Sequence, residues 1–437
     1  MGLTFLSQLL DEYGRPRDRY MRSGELANET EITPIEWAAA QYDDGEVLLA
    51  CEGNTSTFGL FYSSPSRFTG QSSDGIAFTC DKLIGELPLL RDVPRDQTGG
   101  WAVYRLGMLH ADFSAQSPSG LIRYLLTNLE FDARCGHEAT TLVLPGVEGP
   151  VRLVPAQNDS FARSRFRALR SARPTAWLEM PPQRGRTEAS RRIVGDVCGL
   201  LSIARGTKVA WIQEEEASAD GVRTHLVHAN RITKSFAPFP PIDPLVIGKT
   251  REFLEATYPT FLDRRDRYRL DRGTIDSVLD AKVETDFLET RGAKLAIALE
   301  TLKHNVLVAE SMQEVLIRNG VSGEAAKAIT ASLRLRSLNR RSFSNLLRRI
   351  CKQIDLELES AELDLFIRCR NSLVHRGGFY CATASEEERI KVPPKATKFD
   401  EYVFLISVVD AFLLRLVGYR GPYLVHTGGS GYEKKYL

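Results

Sequence analysis

The sequence has no long apolar run, no CxxC pair and almost no net charge. No stretch of about 18 apolar residues occurs, as a membrane-spanning helix would need. The first residues, MGLTFLSQLLDEYGRPRDR, lack the basic start and long apolar core of a secretion signal. The seven cysteines are scattered, unlike a secreted disulfide framework. We therefore expect a cytoplasmic protein with reduced thiols and no membrane contact.

Charge and ligand spacing exclude two further classes. Lys and Arg total 57 against 56 Asp and Glu, so no global field draws the chain to nucleic acid, and any such affinity must be local. Among the seven histidines, His225 and His228 lie close together, but three residues apart on a strand they would point to opposite faces. We expect neither a metal nor a cofactor.

The first half of the chain has the pattern of a β domain. Short runs rich in apolar and β-branched residues are separated by Gly, Pro, Asn or Ser up to about residue 235. They predict a mainly antiparallel domain, either a sandwich or a curved sheet. Examples are EVLLACEG (46–53), STFGLFYSS (56–64), WAVYRLGMLHADF (101–113) and TAWLEM (175–180). One helix, EASRRIVGDVCGLLSIARG, interrupts the pattern and is predicted to end at Gly206.

The second half predicts helices. FAPFPPIDP (236–244) contains four prolines in nine residues, and we place a domain boundary there. Beyond it, residues 275–310 keep helical apolar spacing without proline, and four more such segments follow. The mixed-charge run DRRDRYRLDR (263–272) is interpreted as a solvated helix face. The expected architecture is α+β with two domains: a β-rich, possible sensor domain (1–240), a linker and first helix (241–274), an all-α bundle (275–424) and a tail (425–437).

The segment SAELDLFIRCRNSLVHRGGFY carries the residues suited to chemistry. Arg370, Asn371 and His375 are predicted to lie off its buried stripe. Asn371 and His375 are four residues apart and therefore neighbours, whereas Arg370 is turned about 140° from His375. Two copies about a two-fold axis would bring both histidines and both arginines around one cleft. The apolar side chains expected to face the core are Leu363, Phe366, Ile367, Leu373 and Val374.

These residue types suit RNA cleavage by the ribose 2′-hydroxyl without a metal. A histidine that titrates near neutral pH can take or return a proton, and an arginine can hold the charge that builds on the phosphoryl oxygens. Gly377 and Gly378 are expected to end the helix, leaving His375 in the last turn where the helix dipole favours its protonated form. We therefore expect His375 to protonate the leaving 5′-oxygen.

The spacing alone is weak, because it recurs from Arg105 to His110 and from Arg223 to His228. The wider context adds a resemblance. RNSLVH, at the end of a late helix, resembles the R-N-x-x-x-H signature of HEPN domains. The runs DFLETRGAKLAIALETL (286–302) and FLISVVDAFLLRLVGYRGPYL (404–424) are similar to the Apea-like HEPN group of bacterial anti-phage abortive-infection proteins. The resemblance covers about residues 275–424 and extends loosely to GLIRYLLTNLEF (120–131).

This resemblance implies a function and partners. It implies a metal-independent ribonuclease site at a homodimer interface, with catalytic roles at Arg370, Asn371 and His375. RNA would be the substrate, with tRNA one candidate, and an unknown phage trigger would act on the first domain. Assembly beyond a dimer is left open.

The stretch between Glu324 and Asp355 contains no acidic residue but eight Lys and Arg. It is a candidate phosphate track, and the alternative is that some of its arginines pair with the acidic run DLELESAELD (355–364). The residues we expect to contact RNA are Arg340, Arg341, Arg348, Arg349 and, at the end of the motif helix, Arg376.

Three other interpretations are open at this point. In the first, His375 caps helix carbonyls while Arg370 and Asn371 are merely solvated. In the second, the helical half is a non-catalytic RNA- or nucleotide-binding dimerisation scaffold. The third is a metal-dependent hydrolase in the first half, at Asp112, Glu130, Asp132, His110 and His137, although their spacing fits no metal site.

Overall fold

The computed structural model describes most of the chain. The described residues are 2–11, 13, 16, 18–27, 32–54, 67–73, 75–81, 83–84, 99–113, 120–129, 139–156, 174–183, 187–218, 221–227, 239–244, 246, 248–283, 286–309, 316–317, 320–332, 343–427 and 432–437. Their contacts divide the chain into two compact units. The first comprises Met1–Glu130, Gly136–Cys198 and Val209–Lys234, and the second Phe131–Cys135, Gly199–Lys208 and Ser235–Leu437. The last change of unit, at residues 234–235, lies near the expected boundary at residue 240, but residues 131–135 and 199–208, which were expected in the first domain, belong to the second unit.

The first unit is built on one antiparallel sheet. Fourteen strands of the described residues pair in the order β10-β11-β12-β9-β13-β14-β8-β5-β4-β1-β2-β3-β7-β6, so these strands belong to a single hydrogen-bonded sheet. The strands are β1 (Asp18–Ala27), β2 (Ile32–Gln41), β3 (Val47–Asn54), β4 (Arg67–Ser72), β5 (Ala77–Cys80), β6 (Leu83–Ile84), β7 (Gly99–Leu106), β8 (Met108–Phe113), β9 (Ile122–Thr127), β10 (Thr140–Leu142), β11 (Val151–Pro155), β12 (Pro174–Met180), β13 (Ala210–Ser218) and β14 (Gly221–Val227). Among the described residues, helix α1 (Gly2–Asp11) belongs to this unit, and helix α2 (Thr187–Arg205) begins in it and crosses into the second unit at residue 199.

Side-chain alternation explains the core of this unit. Along β2 the side chains of Ile35 and Trp37 point to one face and are buried, and the Trp37 ring meets Phe68 and Phe78 edge-on at centroid distances of 5.1 and 5.2 Å. The run 101–113 is two strands rather than one, because β7 pairs with β3 and β6 whereas β8 pairs with β14 and β5. The strand expected at 56–64 lies outside the described residues.

The second unit is mainly helical. The helices in its described residues are α3 (Lys249–Tyr268), α4 (Ile275–Asp280), α5 (Leu288–Ala309), α6 (Gly323–Ser332), α7 (Phe343–Gln353), α8 (Ser360–Arg376), α9 (Tyr380–Thr383), α10 (Glu386–Lys391) and α11 (Lys398–Leu416), with a π-helical turn at Leu270–Thr274. Helix α5 packs against α8 and α11. The tail expected from residue 425 takes part in a strand pair, β15 (Pro422–His426) with β16 (Tyr432–Tyr436).

Two helical expectations were wrong in detail. The segment 275–310 is not one helix, because α4 ends at Asp280 and α5 begins at Leu288. In the gap, Lys282 is buried and its Nζ lies 2.5 Å from Asp410 Oδ1. The run 263–272 is not simply solvated, since Arg265 and Leu270 are buried. Apolar residues at helical spacing therefore continue across a break between two helices, which the spacing alone does not reveal.

Within the described ranges, no helix has the length and apolar character needed to cross a membrane.

Candidate functional site

Helix α8 presents a different buried face from the one expected. Its buried positions include Leu363, Phe366, Arg370 and Leu373, which repeat at three- and four-residue intervals as one face of a helix. Arg370 is only 8% exposed, whereas Val374 is 43% exposed. The prediction that Arg370 lies off the buried stripe, with Val374 on it, was therefore wrong.

The guanidinium of Arg370 is held by two partners. Its Nη1 donates to Asn371 Oδ1 at 2.9 Å, and its Nη2 forms an ion pair with Glu300 on α5. The two helices approach closely at Gly292, where an added Cβ would lie 3.0 Å from the Leu373 side chain. This close approach of α5 to α8 brings the Glu300 carboxylate within reach of the Arg370 guanidinium.

His375 is exposed in the last turn of α8, and the helix ends at Gly377 with a left-handed φ of 70°. The side chains of Asn371 and His375 line one open cavity of about 550 Å³. Arg370 is not part of its wall. The other lining residues are Ser344, Asp364, Ile367, Arg368, Ser372, Arg376, Tyr380, Glu388 and Val392.

Arg376, an expected RNA contact, already has a carboxylate partner. Its Nη1 and Nη2 lie 2.9 and 2.6 Å from the two oxygens of Glu388, and Nη1 also donates to Thr383 O at 3.1 Å. The hydrogen bond from Arg376 lowers the pKa of Glu388 to about 2. Glu388 is therefore ionised throughout the neutral range, and an anion in the cavity must compete with it.

A second cavity of about 530 Å³ adjoins the first. Both are lined by Arg368, Arg376 and Glu388, and the second extends to Glu387 and Lys391. Arg368 Nη1 lies 3.9 Å from Glu388 Oε1, a looser pair than that of Arg376. Arg368 is thus the more weakly paired of the two cavity arginines.

The backbone after α8 is anchored by buried polar groups. The buried carboxylate of Glu401 accepts hydrogen bonds from the backbone N–H groups of Tyr380 at 2.8 Å and Cys381 at 2.7 Å. Ser372 Oγ donates to Gly378 O at 2.8 Å. These bonds hold the turn beside His375 in one place.

The expected basic track is only partly described. Arg348 pairs with Asp364 at 2.7 Å, so the alternative that some arginines pair with the acidic run 355–364 is confirmed for this residue. Because Asp364 lines the cavity, Arg348 lies near its rim. Arg349 is exposed, and Arg340 and Arg341 lie outside the described residues.

Sequence reasoning missed Arg368, Glu388 and Glu300. Helical spacing could have identified Arg368, because it lies seven residues before His375 and is therefore on the helix face that also carries Asn371. Glu388 and Glu300 belong to other helices, and no local pattern connects them to the motif.

The first unit contains a separate polar cluster. Glu214, fully buried on β13, accepts hydrogen bonds from Arg191 at 2.7 and 2.8 Å and lies 3.1 Å from Nδ1 of His225. Burial alone would raise the pKa of Glu214, but hydrogen bonds from His225 and Arg191 outweigh it, so the pKa lies below the usual value. The rings of His225 and His110 meet edge-on at 4.3 Å. Burial lowers the pKa of His110, and the nearby His225 and Arg191 lower it further.

The described part of the chain holds no group of three or more His, Cys, Asp or Glu side chains that could bind a metal. Asp112, one of the residues considered for such a site, lies 3.2 Å from Arg223. Glu130, Asp132 and His137 are outside the described residues.

Comparison with known proteins adds no assignment, because no family model, no curated protein and no solved structure matches this chain.

Proposed function

We propose that the helical unit is a metal-independent endoribonuclease of the HEPN type, as the resemblance implies. One observation carries the proposal: His375 is exposed in an open cavity that it shares with Asn371 and with the arginines Arg368 and Arg376. A proton-transfer group, an amide and two guanidinium groups around one space are the parts needed for phosphodiester cleavage by a neighbouring hydroxyl.

In the proposed reaction, the 2′-oxygen attacks the adjacent phosphorus while the bond from phosphorus to the 5′-oxygen breaks. His375 protonates the departing 5′-oxygen, and His375 of the partner subunit takes the proton from the 2′-hydroxyl. The products are a 2′,3′-cyclic phosphate and a free 5′-hydroxyl. The proposed reaction involves no change of oxidation state and uses no metal.

A phosphate that enters the cavity must compete with carboxylates of the protein for the cavity arginines. The cavity wall carries Arg368 and Arg376 against the carboxylates Asp364 and Glu388, so these four side chains carry no net charge. We propose that phosphate first engages Arg368, whose carboxylate contact is 3.9 Å long, and then draws Arg376 from Glu388. The adjoining cavity would take a neighbouring nucleotide beside Lys391.

We propose a homodimer that meets at the α5 and α8 surface. Ile297 is 62% exposed and lies one turn before Glu300, and Val374 lies one turn after Arg370. Ile297 therefore lies on the same side of α5 as Glu300, and Val374, which precedes His375 in the chain, lies on the same side of α8 as Arg370. The variant Ile297→Asp should sediment as a monomer and lose cleavage, and a monomer with full activity would refute the shared site.

The test of the ribonuclease proposal uses total cellular RNA with EDTA present. Wild type should degrade RNA, and His375→Ala should abolish degradation while the melting temperature is unchanged. His426→Gln is the control, because His426 is half-buried in the same unit and its Nε2 lies 3.2 Å from Pro240 O. Full activity of the His375→Ala protein would remove the proposal.

A second candidate function has its own supporting observation. Arg370, the arginine of the motif, is buried in an ion pair with Glu300, as a purely structural residue would be. This favours a scaffold that binds RNA or nucleotides without chemistry. Such a scaffold would shift RNA in a gel and yield no product with a 2′,3′-cyclic phosphate.

We propose anti-phage defence as the setting, and this rests on the resemblance alone. Cells that express wild type should block phage plating, whereas cells that express His375→Ala should not. Equal plating on both strains would contradict the proposed role.

A further inference from the structure

The burial of Arg370 separates it from the cavity in which cleavage is proposed. Its side chain does not line that cavity, and its two terminal nitrogens face Asn371 and Glu300. An arginine in this position affects a phosphate in the cavity through a neighbour. Asn371 touches both Arg370 and the cavity.

The contact with Arg370 determines which way the Asn371 amide faces. A guanidinium has five N–H donors and no acceptor, so the amide atom 2.9 Å from Nη1 must be the oxygen. The amide is planar, and its Nδ2 therefore points away from Arg370. Because Asn371 lies one turn before His375 on the same wall, Nδ2 is a donor available to the space beside the imidazole.

Glu300 in turn orients Arg370. The ion pair crosses from α5 to α8 between the buried Arg370 and the half-buried Glu300, so rotation of the guanidinium would break the contact between the two helices. The result is a chain of contacts from Glu300 to Arg370 to Asn371 that ends at the cavity.

We infer that Asn371 Nδ2 donates a hydrogen bond to a phosphoryl oxygen of the RNA, and that Glu300 and Arg370 are positioning residues for this amide. The inference rests on the proposed ribonuclease function for its reaction. It assigns Asn371 the charge-stabilising role that the motif alone would give to Arg370. It also assigns a function to Glu300, which lies outside the motif.

The test is a double-mutant cycle on cleavage of a single-stranded oligoribonucleotide. Asn371→Ala should lower kcat by about 100-fold, the cost typical of losing one transition-state donor, and should raise KM about tenfold, because the same amide also binds the phosphate before the reaction. Glu300→Gln should lower kcat about tenfold in wild type, the effect typical of an orienting residue. In the Asn371→Ala background, Glu300→Gln should change kcat less than about twofold, because the group it orients is gone.

A merely structural role for Glu300 gives a different result. The loss caused by Glu300→Gln would then be the same with or without Asn371, and this outcome overturns the inference. An unchanged kcat for Glu300→Gln alone overturns it as well. The matched control is Glu289→Gln on the same helix, where Glu289 pairs with Lys398 at the surface. Melting temperatures identify any variant that fails to fold.

Binding separates failure of this inference from failure of the proposed function. A 2′-O-methyl oligoribonucleotide has no free 2′-hydroxyl, so it reports binding without cleavage. Asn371→Ala should weaken its affinity about tenfold, the value of a charge-assisted hydrogen bond, and Glu300→Gln should weaken it only when Asn371 is present. If wild type binds in this pattern without cleaving RNA, the proposed function fails and the inference stands. Absence of the pattern, or of any binding, overturns the inference.

Discussion

A buried ion pair joins Lys282, which lies between α4 and α5, to Asp410 on α11. Lys282 is 1% and Asp410 3% exposed, and their charged atoms lie 2.5 Å apart. Substitution of Lys282 by Met would leave the carboxylate in a dry site without a partner. Loss of one member of a buried pair costs about 3–5 kcal/mol. For a unit of this size that is a fall of about 6–20 °C in Tm.

The size of this loss should depend on pH. Burial raises the pKa of Asp410 above its ordinary 3.8, and Lys282 opposes that rise. Without Lys282 the pKa of Asp410 rises further. Between pH 3.8 and that raised pKa, the Asp410 carboxyl keeps a proton in the folded state that it has released in the unfolded state. Stability then falls as pH increases through this window. The Lys282→Met deficit should therefore be larger at pH 8 than at pH 5.

The assay is urea unfolding at both pH values, followed by circular dichroism. Lys282→Met with Asp410→Leu should regain most of the stability, because no buried charge is left unpaired. The control is Lys398→Met, since the Lys398–Glu289 pair is at the surface, is screened by solvent and should leave the stability nearly unchanged. A Lys282→Met protein within about 1 kcal/mol of wild type, or a deficit independent of pH, would refute this reasoning.

Two further predictions concern the cavity and the sheet. Glu388→Gln should tighten RNA binding about three- to tenfold at low salt, because the carboxylate that competes with RNA for Arg376 is removed. Glutamine can keep the hydrogen bond that caps α10, so the helix should be preserved. Fluorescence anisotropy measures the affinity, and weaker binding would contradict this prediction. Burial beside His225 and Arg191 lowers the pKa of His110, so the folded state holds this imidazole neutral. Its contribution to the free energy of unfolding is fully present above about pH 6.5 and is lost as the pH falls below that value. His110→Asn should make the urea midpoint less dependent on pH between 7 and 5, and an unchanged dependence would exclude His110 as a source.

Local sequence pattern predicted many of the strands but not how they pair. The apolar and β-branched runs predicted as strands at 46–53 and 175–180 correspond to β3 and β12. The position of β9 between β12 and β13 depends on contacts distant in sequence, which no local pattern encodes. Strand β2 was not predicted, since its ITPIEWAAAQ contains good helix formers, and pairing with β1 and β3 overrides that preference.

The candidate site was predictable to the extent that it depends on one helix. Four-residue spacing places Asn371 beside His375, and both line the cavity. The burial of Arg370 was not predictable in the same way, because arginine is seldom buried without a partner and Glu300 lies 70 residues earlier in the chain. Likewise, the pairing of Arg376 with Glu388 requires the turn that brings α10 against α8.

The most direct measurement is the chemistry of the ends left on a cleaved oligoribonucleotide. With EDTA present, wild type should leave a 2′,3′-cyclic phosphate on one product and a 5′-hydroxyl on the other, and His375→Ala should leave the substrate intact. A 3′-hydroxyl with a 5′-phosphate, or the same products from His375→Ala, would contradict the account.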